Sequence, residues 1–363
     1  MKTSLSAAAA LTGAAALLLV GCSSTSPTPG ASSGGGEEPA EAGRACVILP
    51  DAASSPRWEN FDRKYLQEGL EGAGFEVDIQ NAQGDTAKYT TIADQQLTQG
   101  CGVMLLVDYN GAAAGVAAKA KSQEIPVIAY DRPFEGADYY VSFDNVEVGR
   151  LEGQAVLDGL EAAGKDPASA AVFYMGGDPT DGNAAMFREG AVEVLEGAGV
   201  KPVAEPPGIW DGAKSQTNFE QALTANGGKV DGVWAANDTN ADGVIKVLQD
   251  RGITGVAVSG QDANLEGLRN ILTGWQTATV YKPVKEEADA AVEVATALLK
   301  GESPTADQEL EDGTPYIAVT PKLVGPDAVK DVVAAGDASA EDICSGDIEG
   351  VSLADKCAEF GVE

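Results

Sequence analysis

Carboxylate, amide and guanidinium side chains follow nearly every strand-like run of this sequence. In an open parallel sheet the loops after the strands converge on one crevice, so we expect these side chains to line a single ligand site. They can bind hydroxyls through charge-assisted hydrogen bonds, and Trp58 and Trp210 offer flat faces for the C–H groups of a sugar ring. The mixture predicts a site for an uncharged carbohydrate. The loops concerned are 50–58, 108–110, 131–132, 178–183, 237–238, 261–262 and 281–283, together with the loop that carries Trp210.

Helix capping is the plainer explanation for each Asp and Asn in this set. Such a side chain after a strand accepts hydrogen bonds from the first turn of the next helix and needs no ligand. Capping does not account for Arg57, Arg132 or Lys282, nor for two tryptophans in loops. The set as a whole therefore favours binding, while the role of any single Asp or Asn stays open.

The composition removes several classes of chemistry. The chain has no histidine, which excludes Ser-His-Asp hydrolases, Cys-His nucleophiles and histidine-ligated zinc. Its 24 basic and 56 acidic residues give a net charge of −32, so nucleic acid is a poor partner. Residues 238–243 fit the first half of a calcium-binding EF-hand loop, but the twelfth position is Gln249 instead of a bidentate glutamate. We expect no metal site, no cofactor and no catalytic residue.

From Arg44 onward, short apolar runs alternate with longer stretches of helical periodicity, which is typical of α/β proteins with parallel sheets. The clearest runs are 46–49, 75–79, 103–107, 126–130, 170–174, 232–236 and 255–259. They fall into two sets and predict two doubly wound lobes joined by a multi-strand hinge. The predicted divisions are a signal peptide 1–22, a tether 23–43, an N-terminal lobe 44–140 plus 279–305, a C-terminal lobe 141–278 plus 306–325, and a tail 326–363.

The first 22 residues have the pattern of an export signal, because Lys2 precedes an apolar run that is too short to span a membrane. That run ends in Leu-Val-Gly-Cys at 19–22, which is similar to a lipoprotein lipobox, so Cys22 is expected to be acylated. Residues 23–36 are only Ser, Thr, Pro, Gly and Ala, a composition typical of a flexible tether. We expect an extracytoplasmic lipoprotein on the outer face of the cell membrane. A plain secretory signal with an incidental cysteine is the alternative.

Four further cysteines, Cys46, Cys101, Cys344 and Cys357, make an even number in an oxidising compartment. Three pairings are possible. Cys344 and Cys357 are neighbours in the tail, and Cys46 and Cys101 each begin a strand-like run, so the pairing of near with near is favoured. Four buried thiols are the alternative.

Seven motifs run through the sequence between Leu49 and Pro283. They are Arg-Trp at 57–58, Tyr-Asp-Arg at 130–132, Val-Ser-Phe-Asp-Asn at 141–145, Met-Gly-Gly at 175–177, Leu-Thr-Ala-Asn at 223–226, Ser-Gly-Gln-Asp at 259–262 and Thr-Val-Tyr-Lys-Pro at 279–283. On these motifs the chain resembles the D-xylose-binding proteins of bacterial ABC importers, within the class I periplasmic sugar-binding superfamily. Gly182 departs from the family pattern, where a second amide is common, and the tail after Gly325 lies outside it.

The resemblance implies a monosaccharide, D-xylose or a similar pyranose, held between two lobes without chemical change. It also implies a monomeric solute-binding component that delivers the sugar to ABC permease subunits. Trp58 and Trp210 are the implied sandwiching aromatics. The implied hydroxyl partners are Arg57, Asp131, Arg132, Asp181, Asn183, Asn237, Asp262 and Lys282.

Two other functions compete with transport. A lipoprotein glycosidase would use paired carboxylates, and Asp and Glu are abundant; however, the nearby Arg and Lys keep carboxylates ionised, whereas a glycosidase needs one protonated as general acid. A sugar-responsive repressor would share the lobe architecture, but the sequence has an export signal and lacks a basic helix-turn-helix.

Overall fold

The computed structural model describes residues 43–363. The expected signal peptide, Cys22 and all but the last residue of the expected tether lie outside the described residues. Within 43–363 no helix is both long and apolar enough to cross a membrane.

The first lobe is built on a seven-stranded sheet with helices on both faces. Numbered in chain order, its strands are β1 Arg44–Leu49, β2 Glu76–Asn81, β3 Val103–Leu106, β4 Val127–Tyr130, β5 Tyr139–Phe143, β11 Gln308–Glu309 and β12 Pro315–Val319. The spatial order is β11-β12-β5-β4-β3-β1-β2, and all neighbours are parallel except the β11–β12 pair. The central strands are apolar along their whole length because helices cover both faces.

Helices of the first lobe divide between those two faces. A π-helical turn, Trp58–Asp62, leads into α1 Arg63–Gly72, which packs with α9 Val284–Leu299 on one face. Helices α2 Thr86–Thr98 and α3 Ala112–Lys121 cover the other face.

The second lobe repeats the design on a four-stranded parallel sheet. Its strands are β6 Val172–Met175, β7 Pro202–Ala204, β8 Gly232–Ala235 and β9 Ala257–Val258, in the order β7-β6-β8-β9. Helices α4 Asn145–Ala162 and α5 Gly182–Gly197 cover one face, and α6 Gly212–Ala225 and α7 Asp238–Asp250 cover the other; α8 Leu265–Leu272 follows β9. The predicted fold class of two doubly wound α/β lobes is confirmed, and each of the seven apolar runs overlaps a strand.

Several strands lie in segments that cross between the lobes. Strands β11 and β12 belong to the first sheet, although we expected 306–325 in the C-terminal lobe. Conversely, β10 Thr279–Tyr281 pairs with β13 Lys322–Val324 and, through Val280, with Gln261 of the second lobe. β12 joins the first sheet because it extends the edge beside β5, where Tyr316 stacks on Tyr140 with ring centroids 4.4 Å apart.

The tail folds against the second lobe. It contains a 3-10 turn Pro326–Ala328, helices α10 Val329–Ala335, α11 Ala340–Ile343 and α12 Leu353–Phe360, and a hairpin of β14 Asp347–Ile348 and β15 Val351–Ser352. Val329, Val332 and Ile343 pack against Leu268 and Ile271 of α8. The tail therefore adds a small core of its own to that lobe.

Two disulfides join Cys46 to Cys101 and Cys344 to Cys357, with Cα–Cα distances of 5.9 and 5.8 Å. This is the pairing of near with near, so that prediction is confirmed. The first disulfide links β1 to the segment just before the neighbouring strand β3, and the second joins two parts of the tail.

A contact between the tail and the first lobe runs through Asp337. The Tyr65 hydroxyl of α1 donates to Asp337 at 3.2 Å, and the Tyr281 hydroxyl donates to its other oxygen. We expect Tyr65→Phe to lower the free energy of unfolding by about 0.5–1.5 kcal/mol, because one half-buried hydrogen bond is lost.

Urea unfolding followed by circular dichroism measures that change. Tyr109→Phe is the matched control, since within the described residues the Tyr109 hydroxyl makes no hydrogen bond to the protein. Equal stability of the two variants would show that the tail contact contributes nothing.

Candidate functional site

The ten candidate residues come together between the two lobes, beyond the carboxyl ends of the strands, and line one cavity. The first lobe contributes Arg57, Trp58, Asp131 and Arg132; the second contributes Asp181, Asn183, Trp210, Asn237 and Asp262; and Lys282 lies on the crossover from β10 to α9. This is the convergence that the parallel-sheet argument predicts. Their roles as ligand contacts stay a prediction.

Arg57 is held by three carboxylates in the wall of this cavity. It is 6% exposed; its Nε and Nη2 donate to the two oxygens of Asp62 at 2.9 and 2.6 Å, and its Nη1 donates to Asp131 at 2.9 Å. Nη2 also donates to Glu287. Burial raises the pKa of Glu287 well above its usual range, and the Arg57 charge opposes that rise. Four of the five guanidinium N–H donors are therefore engaged within the protein, which fixes the Asp131 carboxylate.

A second charged group spans the gap between the lobes. Arg132 Nε lies 3.0 Å from Asp181 Oδ2, an ion-pair distance without good hydrogen-bond alignment. The same Asp181 oxygen accepts a hydrogen bond from Trp210 Nε1 at 3.1 Å. Burial raises the pKa of Asp181, and the Arg132 charge opposes that rise. Arg132 and Asp181 thus hold the lobes in a closed arrangement.

Lys282 and Asp262 form the third ion pair, with 2.8 Å between Nζ and Oδ1. Burial alone would lower the pKa of Lys282, but the attraction of Asp262 and Asp131 outweighs it and the pKa is raised. Asp131 and Asp262 also adopt left-handed backbone, with φ of +62° and +97°. Each costs a non-glycine residue about 1–3 kcal/mol, and such strain concentrates at functional sites.

The two tryptophans reach the cavity from opposite lobes. Trp58 is 2% exposed, its Nε1 donates to Ser54 at 3.1 Å, and the guanidinium carbons of Arg57 and Arg132 lie 4.7 and 5.4 Å from its ring centroid. Trp210 packs edge-on against Phe187, with centroids 6.4 Å apart. A ring bound in the cavity would meet an indole from each lobe.

Several of the ten candidate residues cap helices or hold the two lobes together. Asn237 caps α7 by accepting from the Asn240 amide at 2.8 Å, which is the plainer role that the sequence left open. Asp181 likewise caps α5. Asn183 donates across the gap to the Asp131 carbonyl at 2.7 Å and accepts from the Tyr140 hydroxyl. The Asn183 side chain therefore holds the lobes together as well as lining the cavity.

Comparison with known proteins identifies the architecture. A family model described as a periplasmic binding protein domain matches residues 46–303. The chain belongs to the periplasmic binding protein family. It is 37% identical over 294 residues to the D-xylose-binding periplasmic protein of Escherichia coli strain K12, which covers 76% of this chain and 85% of that protein. It is also 37% identical over 266 residues to the protein of the same name from Haemophilus influenzae, which covers 71% and 78%.

Solved structures of similar binding proteins carry sugars. An ABC transporter solute-binding protein from Clostridium phytofermentans with bound β-D-glucose superimposes with a TM-score of 0.73 at 26% identity, and covers 83% of this chain and 99% of that one. A carbohydrate transporter solute-binding protein from Chloroflexus aurantiacus in complex with D-glucose gives 0.72 at 27% identity, over 82% and 97%. These proteins are binding proteins of transport systems, which confirms the prediction that this periplasmic binding protein is not an enzyme.

Four residues that line the cavity were absent from the sequence-based set: Ser54, Ser55, Phe187 and Gln261. The serines and Gln261 lie in the loops 50–58 and 261–262 that the sequence argument singled out, although they were not among the ten named contacts. Phe187 is four residues after Asn183 on α5, and this helical spacing places both on one face. Asp62 and Glu287, which hold Arg57, follow no strand directly and are harder to foresee.

The closed lobes of this periplasmic binding protein leave little room between the side chains. The cavity has about 30 Å³ of free space. A monosaccharide is larger than this free space, so the lobes must separate for it to enter and must close around it less tightly than they do here. An adjoining cavity of about 350 Å³ shares Ser55, Arg57, Asp262 and Lys282 and is bordered by the tail.

The glycine at position 182, which departs from the family pattern, is explained by the limited space around it. It begins α5, and a Cβ there would lie 2.8 Å from Cγ of Pro133 in the other lobe. A larger side chain at this position would hold the lobes apart, so glycine permits their close approach.

Proposed function

We propose that this protein is the lipid-anchored solute-binding component of an ABC sugar importer. It closes two lobes around a monosaccharide, D-xylose in our assignment, and presents the closed form to the permease subunits. The binding step changes no covalent bond of the sugar. The observation that carries the proposal is the assembly of ten sequence-predicted residues from both lobes around one cavity.

The charge pattern of this cavity suits an uncharged polyol. Arg57, Arg132 and Lys282 are each paired with carboxylates of the protein, so no excess positive charge is left for an acidic or phosphorylated ligand. Ionised carboxylates accept hydrogen bonds from hydroxyls, and the paired cations donate them. Closure buries these groups, so an analogue that lacks one hydroxyl leaves a polar group unpaired and binds more weakly.

The assignment of D-xylose draws on the two relatives at 37% identity, both named D-xylose-binding. The structural neighbours with D-glucose make the hexose the principal competitor. The two sugars differ by one hydroxymethyl group, and the pentose is assigned because both of these relatives are named for it.

Titration of the soluble protein without residues 1–22 tests the proposal. D-xylose, D-ribose, L-arabinose, D-glucose and D-galactose are added in turn, with heat and tryptophan emission as readouts. We expect saturable binding that is tightest for D-xylose and a change in emission, since Trp58 and Trp210 line the cavity. Asn60→Ala, in the adjoining cavity, is the control and should bind as wild type.

One outcome would overturn this function, and another would overturn the site assigned to it. Hydrolysis of an aryl xyloside without saturable sugar binding would favour a glycosidase. Loss of binding in Asn60→Ala but not in variants of the ten-residue cavity would move the sugar to the adjoining cavity.

Lipid anchoring rests on the lipobox-like segment that ends at Cys22 and on the low-complexity stretch after it. We expect the full chain to fractionate with membranes and its mature N-terminal peptide to carry acyl mass. Cys22→Ala should release the protein to the soluble fraction. Soluble wild type without acyl mass would support the plain secretory signal.

A further inference from the structure

Two consecutive residues of the loop after β9, Asp262 and Ala263, have a strained backbone conformation. Asp262 and the following Ala263 have φ of +97° and +50°, in a region that non-glycine residues rarely occupy. Such a conformation persists only where surrounding groups restrain it. The restraints are therefore part of what aims the Asp262 carboxylate at Lys282 and at the cavity.

Those restraints converge on Asp238, the first residue of α7. Its backbone amide donates to the carbonyl of Gln261 at 3.0 Å, just before the turn, and its Oδ2 accepts from the amide of Asn264 at 3.0 Å, just after it. Thr279 Oγ1 donates to Asp238 at 2.9 Å and accepts from the amide of Ala263 at 3.2 Å. The turn is thus held at three points: by the Asp238 backbone amide, by the Asp238 carboxylate and by the Thr279 hydroxyl that this carboxylate orients.

The space for this carboxylate is made by glycines. A Cβ on Gly260 or on Gly267 would collide with the Asp238 carboxylate. The side chain is fully buried, and Gln276 Nε2 donates to it at 2.7 Å. Three donors surround two oxygens, which is the arrangement that an ionised carboxylate accepts and a protonated one accepts less well.

We propose that Asp238 is a positioning residue for sugar binding: its carboxylate, seated between Gly260 and Gly267, holds the strained turn that presents Gln261 and Asp262 to the ligand. Gln261 is 2% exposed; its Nε2 donates to the carbonyl of Ala236 at 2.7 Å, while its Oε1 has no partner among residues 43–363. The turn therefore delivers one neutral acceptor and one carboxylate to the cavity together. The inference rests on the proposed sugar-binding function.

The ionisation of Asp238 gives this role a pH signature. Burial raises the pKa of Asp238 to about 7. The titratable groups that face it are Asp262 on the turn and Glu152 on α4, and Lys282 lies beyond Asp262. As pH falls below about 7, Asp238 takes up a proton, loses an acceptor site for its three donors, and releases part of its hold on the turn.

The test compares the D-xylose affinity of wild type and Asp238→Asn by calorimetry between pH 5.5 and 8.5. We expect wild type to bind about tenfold more tightly at pH 8.5, with the difference shrinking towards pH 5.5, where wild type is itself protonated. Asp242→Asn, on the exposed side of the same helix and paired with Lys246, is the matched control and should show no such difference.

The pH dependence of stability is an independent readout, and we expect it to run in the opposite direction to the pH dependence of sugar affinity. A carboxyl whose folded-state pKa is raised stabilises the fold below its unfolded pKa, and that contribution is lost as pH rises towards 7. Wild type should therefore lose stability relative to Asp238→Asn between pH 5 and 8 while it gains affinity. A purely structural Asp238 would change the melting temperature and leave the affinity of the folded protein unchanged at every pH.

The failures of the two proposals are distinguishable. If wild type binds none of the sugars, the proposed function fails. If wild type binds D-xylose, and Asp238→Asn and Thr279→Val bind it with the same affinity as wild type at every pH, the positioning role fails while the function stands.

Discussion

Arg57→Met is expected to lower the free energy of unfolding by about 3–5 kcal/mol and to abolish sugar binding. Removal of one partner from a buried ionic group leaves the other charges uncompensated in a medium of low polarity. Here three carboxylates depend on one guanidinium: Asp62 and Glu287 are fully buried, and Asp131 is 5% exposed. Asp131 would lose the group that fixes its orientation towards the cavity.

Chemical unfolding at pH 7.5 measures this loss, and Arg150→Met is the matched control. Arg150 also pairs with two carboxylates, Glu147 and Glu193, but it lies on the surface, where ion pairs contribute about 0–1 kcal/mol. If Arg57→Met were no less stable than Arg150→Met, the three carboxylates would not depend on Arg57.

The loss in Arg57→Met should shrink in acid. Protonation of the orphaned carboxyls removes the uncompensated charge, and burial already raises the pKa of Glu287. We therefore expect wild type and variant to differ less at pH 5 than at pH 7.5. A further change of Glu287 to Gln in the variant should recover part of the stability at pH 7.5.

The sheet cores could be predicted from the sequence, but the crossings between lobes could not. Runs such as 103–107 are continuous and apolar because both faces of a parallel strand are buried, and that signal is local. β12 pairs with β5 across more than 170 residues of chain, and it is only partly buried. Nothing near residues 315–319 tells which sheet receives them, so the sequence alone did not place β12 beside β5.

The same limit applies to the candidate site. Loops after strands identify which residues gather, because topology brings all such loops to one edge. They do not tell which polar atoms meet one another and which meet a ligand. Arg57 engages Glu287 at a sequence distance of 230 residues, and Asn183 engages the Asp131 carbonyl in the other lobe. These pairings arise from tertiary packing. They show that some residues of the motifs hold the lobes together or orient other side chains, whereas the motifs alone suggest only ligand contacts.

Trp210→Ala is expected to weaken D-xylose binding by about 2–4 kcal/mol, at least about 30-fold. The variant loses the apolar face that the second lobe offers to a sugar ring, and it loses the N–H that donates to Asp181. Trp210 lies in a half-buried loop, so the free energy of unfolding should change by less than about 1 kcal/mol. Calorimetry is the appropriate readout because the variant lacks one of the reporting indoles.

Substitutions at Gly176 and Gly177 test the position of the Trp210 indole while Trp210 itself stays unchanged. A Cβ on Gly177 would collide with the Trp210 ring, whereas a Cβ on Gly176 would make only ordinary contacts with Trp234 at 3.9 Å. We expect Gly177→Ala to weaken D-xylose binding nearly as much as Trp210→Ala, and Gly176→Ala to bind as wild type. Trp210→Phe should fall between wild type and Trp210→Ala, since it keeps an aromatic face and loses the N–H. Binding of D-xylose by Trp210→Ala within threefold of wild type would exclude stacking in this cavity.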